Sequence, residues 1–453
     1  MRKLLLGSLA FCSLVAWAQE NTFLSNDYWK QKPTITQVQQ SIAQGNSPTQ
    51  LNARAFDATS LAILNDAPTE VITFLASLDG NGVDKLTHDK RTYLFWAASQ
   101  GNIPVMKYLL SNGAKVNLTE SHGLTPLLFA ATRGRSNKEV YELLLKNGAS
   151  ISDTNSEGAN ALLLLIPHLS SLKQADFFVK KGLKLSSTDS KGNNAIYYAA
   201  TTGNLPVIQA LIKKKIKADQ LNAQGENAIF GAARATKRSF NKLETFQFLE
   251  SLGLNPNQKN TEGLSPLFIL AGRNREGAVI SYFLEKGNNP TQTNKEGRTP
   301  LMNAAALNTP EVASLLLEAA NNINQQDKEG RSALTLAIEN NKIEMIDLLL
   351  SKGADTQVLD REGNTLYHYA VKRADVKILE RLASSPSLNI NQKNAEGLTP
   401  LHKAVMLGKN LEVVQFLLSK GANKQLTTDL GETAYDLAQE NEVLKEMNID
   451  FLK

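Results

Sequence analysis

The stretch Lys295-Glu296-Gly297-Arg298-Thr299-Pro300-Leu301 returns, altered, about every 34 residues through most of the chain. The glycines of its copies are Gly123, Gly158, Gly192, Gly225, Gly263, Gly297, Gly330, Gly363, Gly397 and Gly431, separated by 33 to 38 residues. A period of this length marks a stack of like supersecondary units in place of one closed core. It favours an extended binding surface over an enclosed catalytic pocket.

Each copy reads as one helix–turn–helix unit. An Asn or Asp recurs three positions before the glycine: Asn155, Asp189, Asn222, Asn260, Asn294, Asp327, Asp360 and Asn394. Such side chains bond to nearby backbone and fix a turn, and the glycine supplies its left-handed residue. Two positions after the glycine comes a capping hydroxyl, then proline at the first helical position: Thr125-Pro126, Ser265-Pro266, Thr299-Pro300 and Thr399-Pro400. A short helix with small residues follows, for example Ala130-Ala131 and Ala304-Ala305. A second helix is apolar at i, i+3 and i+4 (Ile346, Leu349, Leu350; Val413, Phe416, Leu417) and stops at a capping glycine such as Gly353 or Gly421. One unit cannot bury its own apolar face, so it needs neighbours.

At 453 residues the chain exceeds one ordinary core, and 42% hydrophobic content supplies ample surface to bury. Residues 1–18 read as a secretory leader. Arg2 and Lys3 precede an apolar run from Leu4 to Val15, and Ala16-Trp17-Ala18 fits a cleavage site after Ala18. A lipid anchor on Cys12 is the weaker reading, because Phe11 stands where a small residue is needed. Cys12 is the only cysteine, so the processed chain holds no disulfide, thiol nucleophile or thiolate ligand. A periplasmic or secreted location is expected, with no membrane span. The chain has 49 basic and 44 acidic residues, and two of the basic ones leave with the leader. The remaining excess is too weak and too spread for nucleic-acid binding.

These repeats resemble the ankyrin family. The fullest matches are Gly397-Leu398-Thr399-Pro400-Leu401-His402 and Leu417-Leu418-Ser419-Lys420-Gly421-Ala422. The resemblance implies an all-α, ankyrin-type α-solenoid of about eleven to twelve helix–turn–helix repeats with β-hairpin or turn fingers. Inner helices and fingertips would line a concave groove. It also implies protein binding without intrinsic catalysis. Asn160-Ala161, Asn194-Ala195, Asn227-Ala228 and Ser332-Ala333 depart from the Thr-Pro pair, and the unit near Lys90 lacks the turn glycine. The expected layout is leader 1–18, an N-terminal segment 19–55, the repeat array 56–440 and a polar C-terminal cap 441–453. Within the N-terminal segment, Val38 to Gly45 reads as a lone outer helix.

Candidate binding residues fall in three groups. Between Gly225 and Gly263 an insertion carries Arg234, Lys237, Arg238 and Lys242, and the next unit has Arg273 and Arg275 at the matching place. These cations form a candidate anion-binding patch, against the plainer reading of a solvated loop. Arg298, Arg331, Lys372, Arg373, Met406 and Leu407 fall at positions that the resemblance marks as partner contacts. Glu262, Glu296, Glu329, Glu362 and Glu396 form a third row, one before each glycine. Lys295, Lys328 and Arg361 partly cancel it, which favours a solvated turn. Lys213-Lys214-Lys215 suits the negative end of an outer helix. No metal site, cofactor or catalytic residue is expected. His368 and His402 occupy the family's turn-bonding position. The functional expectation is a non-enzymatic scaffold for another protein outside the cytoplasm. An enzyme or toxin module on a repeat scaffold, and a structural envelope spacer, stand as alternatives.

Overall fold

The computed structural model describes residues 21–235, 240–320, 322–385 and 387–453. The leader, with its cleavage site, therefore lies outside the described residues. The chain forms two compact units. The first holds the residues up to Leu165 together with Phe177–Leu183, and the second holds Ile166–Asp176 and Lys184–Lys453. Each is an ankyrin-type stack of short antiparallel helix pairs.

In the second unit the inner helices include Ala228–Arg234, Pro266–Arg273, Pro300–Leu307, Ala333–Glu339, Leu366–Arg373 and Pro400–Leu407. Each packs on the next inner helix, and each outer helix packs on the next outer one. Alanines make the inner seam close: Ala271, Ala304, Ala305, Ala337 and Ala370 have no exposed surface. The outer helices contribute Ile280, Phe283, Val312, Ile346 and Leu349, also fully buried. Burial of each such side chain is worth roughly 1.5–3 kcal/mol, which only neighbouring repeats supply.

The turn chemistry is the same in repeat after repeat. Asn294 Oδ1 accepts the N–H groups of Glu296 and Arg298, and Asn394 Oδ1 those of Glu396 and Leu398. Two turns do this with other residues: Glu120 Oε1 serves His122 and Leu124, and Thr428 Oγ1 serves Leu430 and Glu432. Successive turns are then bonded in register. Lys328 N donates to Glu296 O at 2.8 Å, Arg361 N to Glu329 O at 2.9 Å, and Ala395 N to Glu362 O at 2.7 Å. This close approach is why Gly330 cannot carry a side chain. Its φ is 79°, and a Cβ there would stand 2.8 Å from Asp360 Cα.

Several expectations change on contact with the structure. The fingers are turns and not hairpins. Among the described residues only isolated bridges form, Thr154 with Asn160 and Thr427 with Thr433. Asn160, Asn194, Asn227 and Ser332 cap their helices as well as threonine does. Ser265 does not cap, because its N–H and hydroxyl are both bonded to Gln292. The unit lacking a turn glycine places Asp89 and Lys90 at φ 57° and 61° instead.

The helix near Val38 is not alone. It spans Ile35–Ala43 and packs on the outer helix Thr69–Ser77. The short helix Asn26–Lys30 packs on the inner helix Ala58–Leu64, anchored by fully buried Phe23 and Trp29. The two form a degenerate first pair. Its aromatics lie outside the repeat period, which is why periodicity does not find them. At the other end, two short turns, Leu444–Glu446 and Asp450–Leu452, pack on the final inner helix Ala434–Glu440. Buried Leu444, Ile449 and Leu452 seat them, so this cap is apolar beneath its polar surface.

Candidate protein-binding surface

The inner helices of the second unit share a register. Counting from the first residue after each cap, the eighth position is Arg273, Leu307, Asn340, Arg373 and Leu407. All five are exposed, Leu307 by 58% and Leu407 by 54%. The seventh position adds exposed Lys372 and Met406, the latter 47% exposed. Because consecutive inner helices pack side by side, these residues make one row that reads Arg, Leu, Asn, Arg, Leu. Each residue lies at the helix end, past the last turn that faces the core. Leu307 belongs to this row and escaped the family-based assignment. Its signal was the register itself.

The insertion behaves differently from the expectation. Lys237 and Arg238 lie outside the described residues. Arg234 is not a free cation: its two terminal nitrogens bond both Glu226 oxygens at 2.7 and 2.6 Å, and one also bonds Tyr197 Oη at 2.9 Å. Burial opposes its charge, yet Glu226 and Tyr197 hold its pKa above the ordinary value. Arg273 does approach it, donating to Arg234 O at 3.0 Å. Lys242, Arg273 and Arg275 remain exposed.

Arg298 and Arg331 converge on one buried carboxylate. Arg331 Nη2 lies 2.9 Å and Arg298 Nε 3.6 Å from Asp327 Oδ2. A shallow cavity beside them is lined by Lys295, Glu296, Arg298, Lys328, Glu329 and Arg331. Arg331 also reaches Glu339 at 3.7 Å. Glu226–Arg234 and Arg331–Glu339 are therefore the same contact with the charges exchanged, between the residue after the turn glycine and the one eight further on. These arginines hold the inner helix to its own turn, and their charge is largely spent within the fold.

The other groups are placed as follows. Glu262, Glu296, Glu329, Glu362 and Glu396 are all exposed, with Arg361 3.8 Å from Glu329 and Lys403 3.8 Å from Glu396. Lys213 and Lys214 end the outer helix Leu205–Lys213, and Lys215 at φ 62° takes the place of the usual capping glycine. His368 and His402 are buried and bridge repeats. Thr365 N donates to His368 Nδ1 at 3.1 Å while Nε2 donates to Leu398 O at 3.0 Å. His402 does the same between Thr399 and Leu426. A further row went unread in the sequence. Buried Asn241, Asn274 and Asn308 each donate to carbonyls of the preceding repeat at 2.8–2.9 Å. They recur at the repeat period, in the connection between inner and outer helix.

Among the described residues no helix is long and apolar enough to cross a membrane. The family model for ankyrin repeats matches residues 59–155, 234–327, 320–394 and 368–449, more than half of the chain. A putative ankyrin repeat protein of Escherichia coli (strain K12), YahD, is 38% identical over 65 residues. That stretch is 14% of this chain and spans only 32% of the relative. Such repeats serve in general as protein–protein interaction scaffolds. The Asx-fixed turns, the stacked helix pairs and the matched repeats lead to one conclusion: the chain belongs to the ankyrin repeat family.

Proposed function

We propose that the protein is a non-enzymatic scaffold that binds another protein outside the cytoplasm, along the eighth-position row of its second unit. The observation that carries this reading is the exposure of Leu307, Met406 and Leu407 in one row with Arg273, Lys372 and Arg373. No hydrogen bond or burial within the fold calls for leucine at these helix ends. Exposed apolar side chains set among cations along one row are what a partner's anchors require. The matching guest carries apolar side chains interleaved with carboxylates. The extracytoplasmic part rests on the leader-like residues 1–18 and on a remainder free of cysteine.

A photo-crosslinking amino acid at position 307 or 407 tests the reading. The expected result is one discrete adduct shared by both positions, formed in intact cells and absent when the crosslinker sits at the outward-facing Lys352. Adducts of equal yield from all three positions, or none from any, would refute it and leave the spacer alternative standing. Turnover of a substrate by the purified chain would refute the non-enzymatic part.

A further inference from the structure

Stacking brings together residues that are far apart along the chain. His88 and His122 are one period apart, and their Nε2 atoms lie 3.3 and 3.7 Å from the same oxygen, Asp89 Oδ2. Asp89, Glu120 and His122 each offer one ligand atom within 4.8 Å of the others. We propose that Asp89, Glu120 and His122, with His88 beside Asp89, bind a late first-row divalent cation of the zinc type on the turns of the first unit.

The geometry supports a cation between these atoms. Ligand atoms about 2.0–2.1 Å from a tetrahedral zinc stand roughly 3.3 Å apart, so the Asp89, Glu120 and His122 atoms, within 4.8 Å of one another, need only draw together to hold one. At 3.7 Å, His122 Nε2 is beyond direct hydrogen bonding to Asp89. His88 steadies Asp89 from the side: its Nδ1 donates to Arg54 O at 2.8 Å and its Nε2 lies 3.3 Å from Asp89 Oδ2. Orienting a ligand's side chain in this way is the usual outer-shell arrangement.

Arg91 organises the carboxylates without neutralising both. Its guanidinium lies 4.5 Å from the centre of the Phe129 ring and 5.2 Å from that of Trp96, and it reaches Asp89 at 3.0 Å and Glu120 at 2.6 Å. Two carboxylates against one guanidinium leave a net negative charge for a dication. Glu120 accepts His122 N and Leu124 N on one oxygen and Arg91 on the other. Of about four lone-pair directions on a carboxylate, one remains. The His122 side chain is 67% exposed, so a cation can enter from solvent. Imidazole and carboxylate without thiolate suit zinc and its neighbours better than calcium or copper(I).

The test is calorimetric titration of zinc chloride into the chelator-treated full chain, prepared without an oligohistidine tag. The expected result is saturable uptake of one equivalent. His122→Ala and Asp89→Asn each weaken it at least about tenfold. His122 is exposed and asparagine tolerates a left-handed φ, so both variants keep the turn. Imidazole proton resonances give a reading that needs no variant: those of His88 and His122 shift with zinc while those of His368 and His402 stay. No saturable uptake, uptake unchanged in both variants, or zinc shifts that spare His88 and His122 overturns the proposal.

Discussion

His368 makes the second unit acid-sensitive, and the size of the effect follows from its surroundings. The ring is 2% exposed. Burial lowers its pKa from 6.5 to about 4, although the Leu398 carbonyl favours the charged form. The bonding pattern explains the direction. Nδ1 already accepts Thr365 N–H, so a second proton there would face a donor. The folded pKa lies below the unfolded one, and the unfolded chain therefore takes up more protons between pH 6.5 and pH 4. This stabilising contribution is complete above pH 6.5 and is lost as the pH falls towards 4. At about 1.4 kcal/mol per pKa unit it amounts to roughly 3 kcal/mol, of which about 2 kcal/mol is gone at pH 5. His368→Gln keeps an acceptor for the capping box but does not titrate. Urea unfolding at pH 7 and pH 5 should show the parent losing about 2 kcal/mol more than the variant. His402, whose pKa is also lowered by burial, contributes a residual fall common to both chains. An equal loss in parent and variant would show that His368 is not held neutral and would refute the argument.

Three further outcomes are expected. Gly330→Ala combines a left-handed φ with a clash against the next turn, and should cost at least about 2 kcal/mol in urea unfolding. Gly421→Ala, also at positive φ but with nothing within 4 Å, should cost only about 1 kcal/mol; equal costs would mean that the turn contact is unimportant. Lys215→Gly should stabilise by about 1 kcal/mol, since lysine there sits at φ 62°, and a fall in the unfolding midpoint would contradict this. Leu307→Ser and Leu407→Ser should leave stability within about 0.5 kcal/mol of the parent, and a larger drop in thermal scans would place these leucines in the core instead of on a binding row.

Much of the fold was readable because every repeat solves one problem with one set of atoms. The Asn at position 294 and the Gly at position 297 are required by local backbone geometry, and local requirements leave a mark in the chain. Glu120 and Thr428 fill the same role with other chemistry, so a search for Asn or Asp passes over them. The binding surface was harder to see. Arg234 looked free because its partner Glu226 is eight residues away, a spacing that matters only once an inner helix folds back against its own turn. His88 and His122 are one repeat apart, and only stacking brings both to Asp89, so no local motif marks them. The row containing Leu307 depends on counting from each cap, which the structure makes unambiguous.

The row also constrains the grammar of the guest proposed for it. Neighbouring helix axes lie about 8–10 Å apart, while an extended peptide advances about 3.3 Å per residue. A strand lying along Arg273, Leu307, Asn340, Arg373 and Leu407 thus meets a new host residue at every third of its own. Its recognition sequence would be written in triplets, reading acidic, apolar, polar, acidic, apolar.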